Sequence, residues 1–283
     1  MAKVLSLTTT VAALEAASEF AGPVDYLAIN QKQEWLVKRY GAYKNALRSI
    51  PELEAWAKLT AEELNEILEK RGFSIRLDPW IPNPDAFGTL GILDYTLTWF
   101  EPGLPTKICD EKYEAFTLNE LSIVKSSEIL GNQNPLVELR TQTDDIVKII
   151  KSDEPKDEFE VTEIIETIRN AEHTPSKNFT KVKIPKVHYS QETDMDWLCG
   201  FSSGSTSVVA ALQEVRFGMN EIGARAKEAT ALSMIRGLPP KPVEYVFDEP
   251  FLIWVERPGV NVPIFQAWIG EDDWKDPGDL LNL

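Results

Sequence analysis

The stretch that decides the fold runs from residue 216 to residue 270. It opens Arg216-Phe217-Gly218-Met219-Asn220-Glu221-Ile222-Gly223 and continues Ala224-Arg225-Ala226-Lys227-Glu228-Ala229-Thr230-Ala231. Then come Leu232-Ser233-Met234-Ile235-Arg236-Gly237-Leu238-Pro239-Pro240 and, after a short gap, Phe247-Asp248-Glu249-Pro250-Phe251 ahead of an apolar run. Phe217–Glu221 has the composition of a strand end. Gly223 supplies a hinge, because a residue without a side chain adopts backbone angles closed to the others. Alanine is small enough to sit in water or to slip into a crowded position in a sheet. Pro239-Pro240 stiffens the exit from this segment. Ala, Arg, Lys and Glu are also good helix formers, so the same composition admits a helix over 224–235.

Outward from this stretch, Phe251–Glu256 and Pro263–Ile269 are predicted to form an antiparallel hairpin with a turn at Arg257–Asn261, burying Phe251, Ile253, Val255 and Phe265. Leu136–Leu139 and Ile146–Ile150 predict a second hairpin around the polar turn Thr141–Asp145. Leu90–Phe100 and Val182–Val187 are further strands. Toward the N-terminus the period changes to that of a helix. Residues 31–50 are helical. Thr60 and Glu63 form a capping box ahead of the stripe Leu64, Ile67 and Leu68, and Gly72 stops that helix. Residues 153–160 are expected to be an acidic loop before a short helix at about 161–171. The expectation is α+β in one domain, 1–283, with a helical part at about 1–78 and a β-rich part at about 90–270.

Composition narrows the function. The chain has 283 residues, 43% of them hydrophobic and 26% charged, with a net charge of −16 from 29 basic and 45 acidic side chains. Such a chain repels phosphate backbones and anionic lipid, so neither nucleic acid nor a membrane surface is an expected partner. No apolar run approaches the ~18 residues of a membrane span. The first twenty residues carry three threonines and Glu15, a poor secretory leader, and predict instead an amphipathic helix or a ragged end. Two reduced cysteines and no leader point to the cytoplasm. The sequon Asn178-Phe179-Thr180 has meaning only in a secreted chain.

Catalysis finds no good candidate. Gly200-Phe201-Ser202-Ser203-Gly204 matches a nucleophile elbow, yet no histidine follows it, and the surrounding Gly/Ser cluster is more simply a loop. Cys109 and Cys199 are isolated. His173 and His188 are too few for a three-histidine metal site. The pairs Asp144-Asp145 and Asp272-Asp273 lack calcium-loop spacing and are expected to be solvated turns. No catalytic residue, metal ligand or cofactor is assigned.

The order of the decisive pieces resembles the serpin family of serine protease inhibitors and their non-inhibitory relatives. The matching residues are Phe217, Met219, Asn220, Glu221 and Gly223 with the alanine-rich hinge, then Pro239-Pro240, Glu249-Pro250-Phe251 and the strand at Pro263-Ile264-Phe265. Ile184-Pro185-Lys186-Val187 looks like a further family strand. Leu90–Phe100 looks like the family's central strand, with Trp99 where the family has a tryptophan near the top of its large sheet. The resemblance is poor before residue 90, and the chain is shorter than typical members, so an incomplete large sheet is expected.

The resemblance implies an α+β fold with large antiparallel or mixed sheets and an exposed reactive loop at 224–240. It implies a suicide substrate for a trypsin-like serine protease, cleaved at Arg236-Gly237 when anchored on Pro239-Pro240 or one residue later, after Gly237, when counted forward from Gly223; Met234-Ile235 would suit a hydrophobic pocket instead. The hinge would comprise Glu221, Gly223, Ala224, Ala226 and Glu228. Insertion of the cut loop as a strand requires alternation, with Ala224, Ala226 and Glu228 inward. Glu228 departs from the small residues usual there, and Ala224 replaces the usual threonine. A non-inhibitory serpin-like binding or scaffold protein, and an unrecognised acidic hydrolase, are the alternatives.

Overall fold

The computed structural model describes residues 1–22, 26–80, 87–129, 132–203, 206–208, 211–224 and 243–280. Four α-helices occur among them, at Leu7–Ala21, Gln31–Ala46, Ala61–Lys70 and Glu158–Asn170. None is long and apolar enough to cross a membrane. The N-terminal stretch is a helix, with Leu7, Val11 and Leu14 in the core. Buried Thr8 and Thr10 are tolerated because their hydroxyls donate to the carbonyls of Ile264 (3.1 Å) and Ser6 (2.8 Å).

The third helix starts as its sequence predicts. Thr60 Oγ1 accepts from the Glu63 amide at 3.3 Å, Leu64 and Leu68 are buried, and Gly72 follows at φ +81°. The fourth begins at Glu158, inside the expected acidic loop. Asp157 caps it by accepting from the amides of Phe159 (3.0 Å) and Glu160 (2.9 Å), so the acidic run is used to start a helix.

Six strands form the largest sheet. Its order is Phe265–Ile269, Phe251–Glu256, Ile146–Lys151, Leu136–Arg140, Ile123–Ile129 and His173–Pro175, antiparallel throughout. Both predicted hairpins lie in it. Phe251, Ile253, Val255, Val147 and Ile149 face the main core, and Phe265 packs against it half-buried. The alternate residues Leu252, Trp254, Ile150 and Leu136 face the helix Glu158–Asn170. Burial on both faces explains why Phe251–Val255 is a continuous apolar run and does not alternate. A four-stranded sheet, in the order Glu244–Val246, Lys181–Pro185, Tyr113–Asn119 and Leu104–Ile108, closes the other side of the core; its first pair is parallel and the rest antiparallel.

The third sheet region is divided. One ribbon pairs Leu53–Lys58 with Gly88–Leu93, and another pairs Val187–Asp194 with Leu212–Met219. The strand at Leu53–Lys58 lies in the half expected to be helical. The expected single strand over Leu90–Phe100 is broken into Gly88–Leu93 and Leu97–Thr98, with Trp99 bridging to Thr141. The break follows the last rung of the first ribbon, where the Asp94 amide still donates to the Glu52 carbonyl in register.

Candidate functional site

Between the two ribbons the sheet is open. The walls of the gap are residues 89–97 on one side and 212–218 on the other, and the cleft holds about 600 Å³. The helix Leu7–Ala21 spans its floor and touches both walls. On one wall, a Cβ on Gly91 would lie 2.3 Å from the Thr9 carbonyl, so only glycine lets the helix lie this close. On the other, Gln213 exchanges hydrogen bonds with the backbone of Ser6 at 3.0 and 3.2 Å.

The segment after the helix Ala61–Lys70 reaches across to the second ribbon. Glu214 accepts from the amides of Ser74 (2.7 Å) and Ile75 (2.9 Å) and from Arg216 (2.6 Å). Burial works against the charge on Glu214. The two amides and the guanidinium outweigh it and hold the carboxyl below the usual carboxylate range.

The top of the gap is a tight turn. Asn220 and Gly223 exchange backbone hydrogen bonds at 3.0 and 3.3 Å, and Asn220 Oδ1 accepts from the Ile222 amide at 2.9 Å. Fully buried Trp99 donates from Nε1 to the Asn220 carbonyl at 2.9 Å. Lys186 bonds both Glu221 (2.9 Å) and Asp276 (2.7 Å). Burial opposes the lysine charge, but the two carboxylates prevail and hold its pKa above the ordinary lysine value. Past the turn, Gly223–Ala224 pairs antiparallel with Leu97–Thr98 at the mouth of the gap. Gly223 has φ +142°, and a Cβ there would stand 2.5 Å from the Leu97 carbonyl. No other residue fits.

The sequence-predicted site residues divide accordingly. Glu221 and Gly223 stand in the turn, and Ala224 begins the short pairing beyond it. Ala226, Glu228, Met234, Ile235, Arg236 and Gly237 lie outside the described residues, as does most of the alternative helix over 224–235. Lys186, Asn220 and Asp276 were not singled out as hinge residues. Asn220 sits inside the motif that leads into the hinge, Lys186 sits inside a motif quoted as a further strand, and Asp276 carries no local signal.

The remaining candidates stay apart. Ser202 lies in a two-residue strand paired with Thr206–Ser207, which is no nucleophile elbow. Cys109 is exposed. Partial burial, helped by Asp248 and Glu271, pushes its thiol up, away from the reactive thiolate. No group of His, Cys, Asp or Glu suited to a metal occurs among the described residues.

The acidic pairs are not both solvated turns. Asp144 is exposed at φ +63°, but Asp145 is fully buried. Asp145 accepts from the Tyr95 hydroxyl at 2.6 Å and from Arg257 at 2.9 Å through each of two nitrogens; Arg257 also holds Glu52 at 2.8 and 2.9 Å. Asp272 is exposed, whereas Asp273 is buried beneath the chain's amino terminus. Asp145 leaves water because Arg257 is in direct hydrogen-bond contact, whereas the amino terminus stands 4.0 Å from Asp273 and burial prevails there, pushing that carboxyl above the usual carboxylate range.

No family model and no curated protein matches the sequence. Solved structures do match in fold. Tengpin, a thermophilic serpin in its native state, superposes with a TM-score of 0.56 at 12% identity, covering 96% of this chain and 88% of its own. Human thyroxine-binding globulin complexed with thyroxine gives 0.54 at 10% identity, covering 95% of this chain and 91% of its own. At such identities it is the fold that is shared, and this chain has the fold of the serpins.

Proposed function

We propose that this protein is a protease inhibitor that works by loop insertion, with residues 224–240 as the bait and the open gap as the destination. Support rests on one observation above the rest: Gly223–Ala224 already runs antiparallel to Leu97–Thr98 at the head of a cleft of about 600 Å³. A strand continued in that register would place position 226 across from Tyr95 and Phe217, and position 228 across from Leu93 and Val215. Both edges of the gap would then gain a partner. In this reading the protease's serine attacks the Arg236 carbonyl, the Arg236-Gly237 peptide bond breaks, and the new amine at Gly237 departs. The enzyme is left as an ester on Arg236. Insertion then carries the ester away before water reaches it. Arg236 suits a trypsin-like pocket, whose buried acid pairs with a guanidinium.

A second reading has support of its own. The same register puts Glu228 on the face of position 224, which pairs with buried Leu97. Burying an unpaired carboxylate beside Leu93 and Val215 costs several kcal/mol. That favours a loop cut as plain substrate, on a non-inhibitory binding scaffold.

Trypsin separates the two readings. An inhibitor yields an SDS-stable complex and a second fragment beginning at Gly237. Cleavage at Arg236 with no complex and no rise in melting temperature overturns inhibition and leaves the scaffold.

A further inference from the structure

The segment after the last strand makes contacts that the fold alone does not require. Its origin is fixed by Trp274, buried edge-on against Tyr113 at 5.0 Å between ring centroids. From there Asp276 bonds Lys186, the same lysine that holds Glu221 of the hinge. Asp276 Oδ1 also accepts from the Gly278 amide at 2.9 Å, and Gly278 turns the chain at φ +67°. The Gly278 carbonyl accepts from Asn220 Nδ2 at 3.2 Å, and Asn220 is the corner of the hinge turn. Leu280 then leaves water altogether, at 4% exposure, and joins Val215, Phe217 and Gly218 in lining the gap.

We propose that Asp276–Leu280 is a strap that holds the hinge turn in its native position and seats Leu280 against the lining of the gap, so that it must release before a strand can enter. The proposal rests on the loop-insertion reading and adds a brake to it. Its three attachments fall on the hinge lysine, the turn and the cleft wall. All three border the gap that an inserted strand would enter, and none is on the six-stranded sheet. Contacts made only in the open state stabilise that state without stabilising the inserted one. They therefore lengthen the lifetime of the open form.

The test compares Leu280→Asp, Leu280→Met and Asn220→Asp with the unmodified protein. Asn220→Asp removes the donor to Gly278 while keeping the oxygen that serves Ile222. Two quantities are read. One is the melting temperature of the intact and loop-cleaved forms. The other is the rate at which intact protein, on gentle warming, converts to a form that resists unfolding. Leu280→Asp is expected to lower the intact melting temperature by several degrees, leave the cleaved one unchanged and speed conversion about tenfold. Leu280→Met should behave as the parent. Asn220→Asp should act in the same direction but less, and it carries the test if Leu280→Asp does not fold. Equal lowering of both forms at an unchanged conversion rate overturns the strap and makes Leu280 an ordinary core residue. An unmodified protein that gains no stability on loop cleavage overturns the insertion reading first, and the strap with it.

Discussion

The six-stranded sheet and the divided sheet are built from similar strands but end in different states. In the first, Phe251–Glu256 is flanked on both edges, by Phe265–Ile269 and Ile146–Lys151. In the second, Gly88–Leu93 and Leu212–Met219 each pair on one side and face each other across the gap. One region has used its hydrogen-bonding capacity and the other holds some in reserve. On the loop-insertion reading the open form persists only until a strand enters, and the filled form is the more stable of the two.

The sharpest way to break this contrast is to fill the gap. A loop cut at Arg236 and inserted adds on the order of ten backbone hydrogen bonds, each contributing about 0.5–1.5 kcal/mol, or roughly 10 kcal/mol in all. At about 2–3 °C per kcal/mol for a chain of this size, the cleaved form should melt roughly 20–30 °C above the intact one. Calorimetry before and after trypsin reads this directly. No shift means that the two edges are not complementary to the loop.

The closed sheet is probed by Phe251→Ala. Phe251 is fully buried and lies at the meeting point of the Phe247 and Trp274 rings. The substitution should cost about 3–5 kcal/mol in intact and cleaved protein alike. A loss in urea titration below about 1 kcal/mol would mean that this face is not the core of the closed region.

These regions were not equally legible. The closed sheet was, because period-two and continuous apolar runs bounded by turns announce strands within a few residues of sequence. Phe251–Glu256, Ile146–Lys151 and Leu136–Arg140 lie almost where expected. The turn at Gly223 was legible for a related reason, since a glycine after a strand end marks a backbone position that few residues accept. The strand Leu53–Lys58 was not. Its sequence, Leu-Glu-Ala-Trp-Ala-Lys, has helix-forming residues at most positions, and pairing with Gly88–Leu93 overrides that preference. Asp145 was misjudged because its partner Arg257 is 112 residues away. Lys186, Glu221 and Asp276 meet for the same kind of long-range reason. A polar side chain carries no mark of the partner that makes its burial possible.

Within the open region, Glu228 sharpens the contrast between an edge that can be filled and one that is. Glu228→Ala removes the one inward carboxylate of the register while leaving Arg236 in place. It should raise the fraction of protease trapped per cleavage several-fold, measured by titrating active trypsin against the protein. An unchanged fraction would show that the loop does not insert as far as position 228.

The smallest effect concerns the link between the segment at Ser74–Ile75 and the wall of the gap. Glu214 is charged and accepts two amides there, and its carboxyl is held below the usual range. A depressed carboxylate contributes stability that is fully present above its unfolded value, about 4.3, and is lost as the pH falls through the folded value below it. Glu214→Gln keeps the shape and loses the charge, so it should cost about 1 kcal/mol near neutral pH. The difference from the parent should shrink steadily as the titration is repeated from pH 5 toward pH 3. The sign is fixed by the direction of the shift: a difference that grew on acidification would mean that Glu214 is protonated in the folded protein and that the Ser74 and Ile75 amides hold a neutral acid.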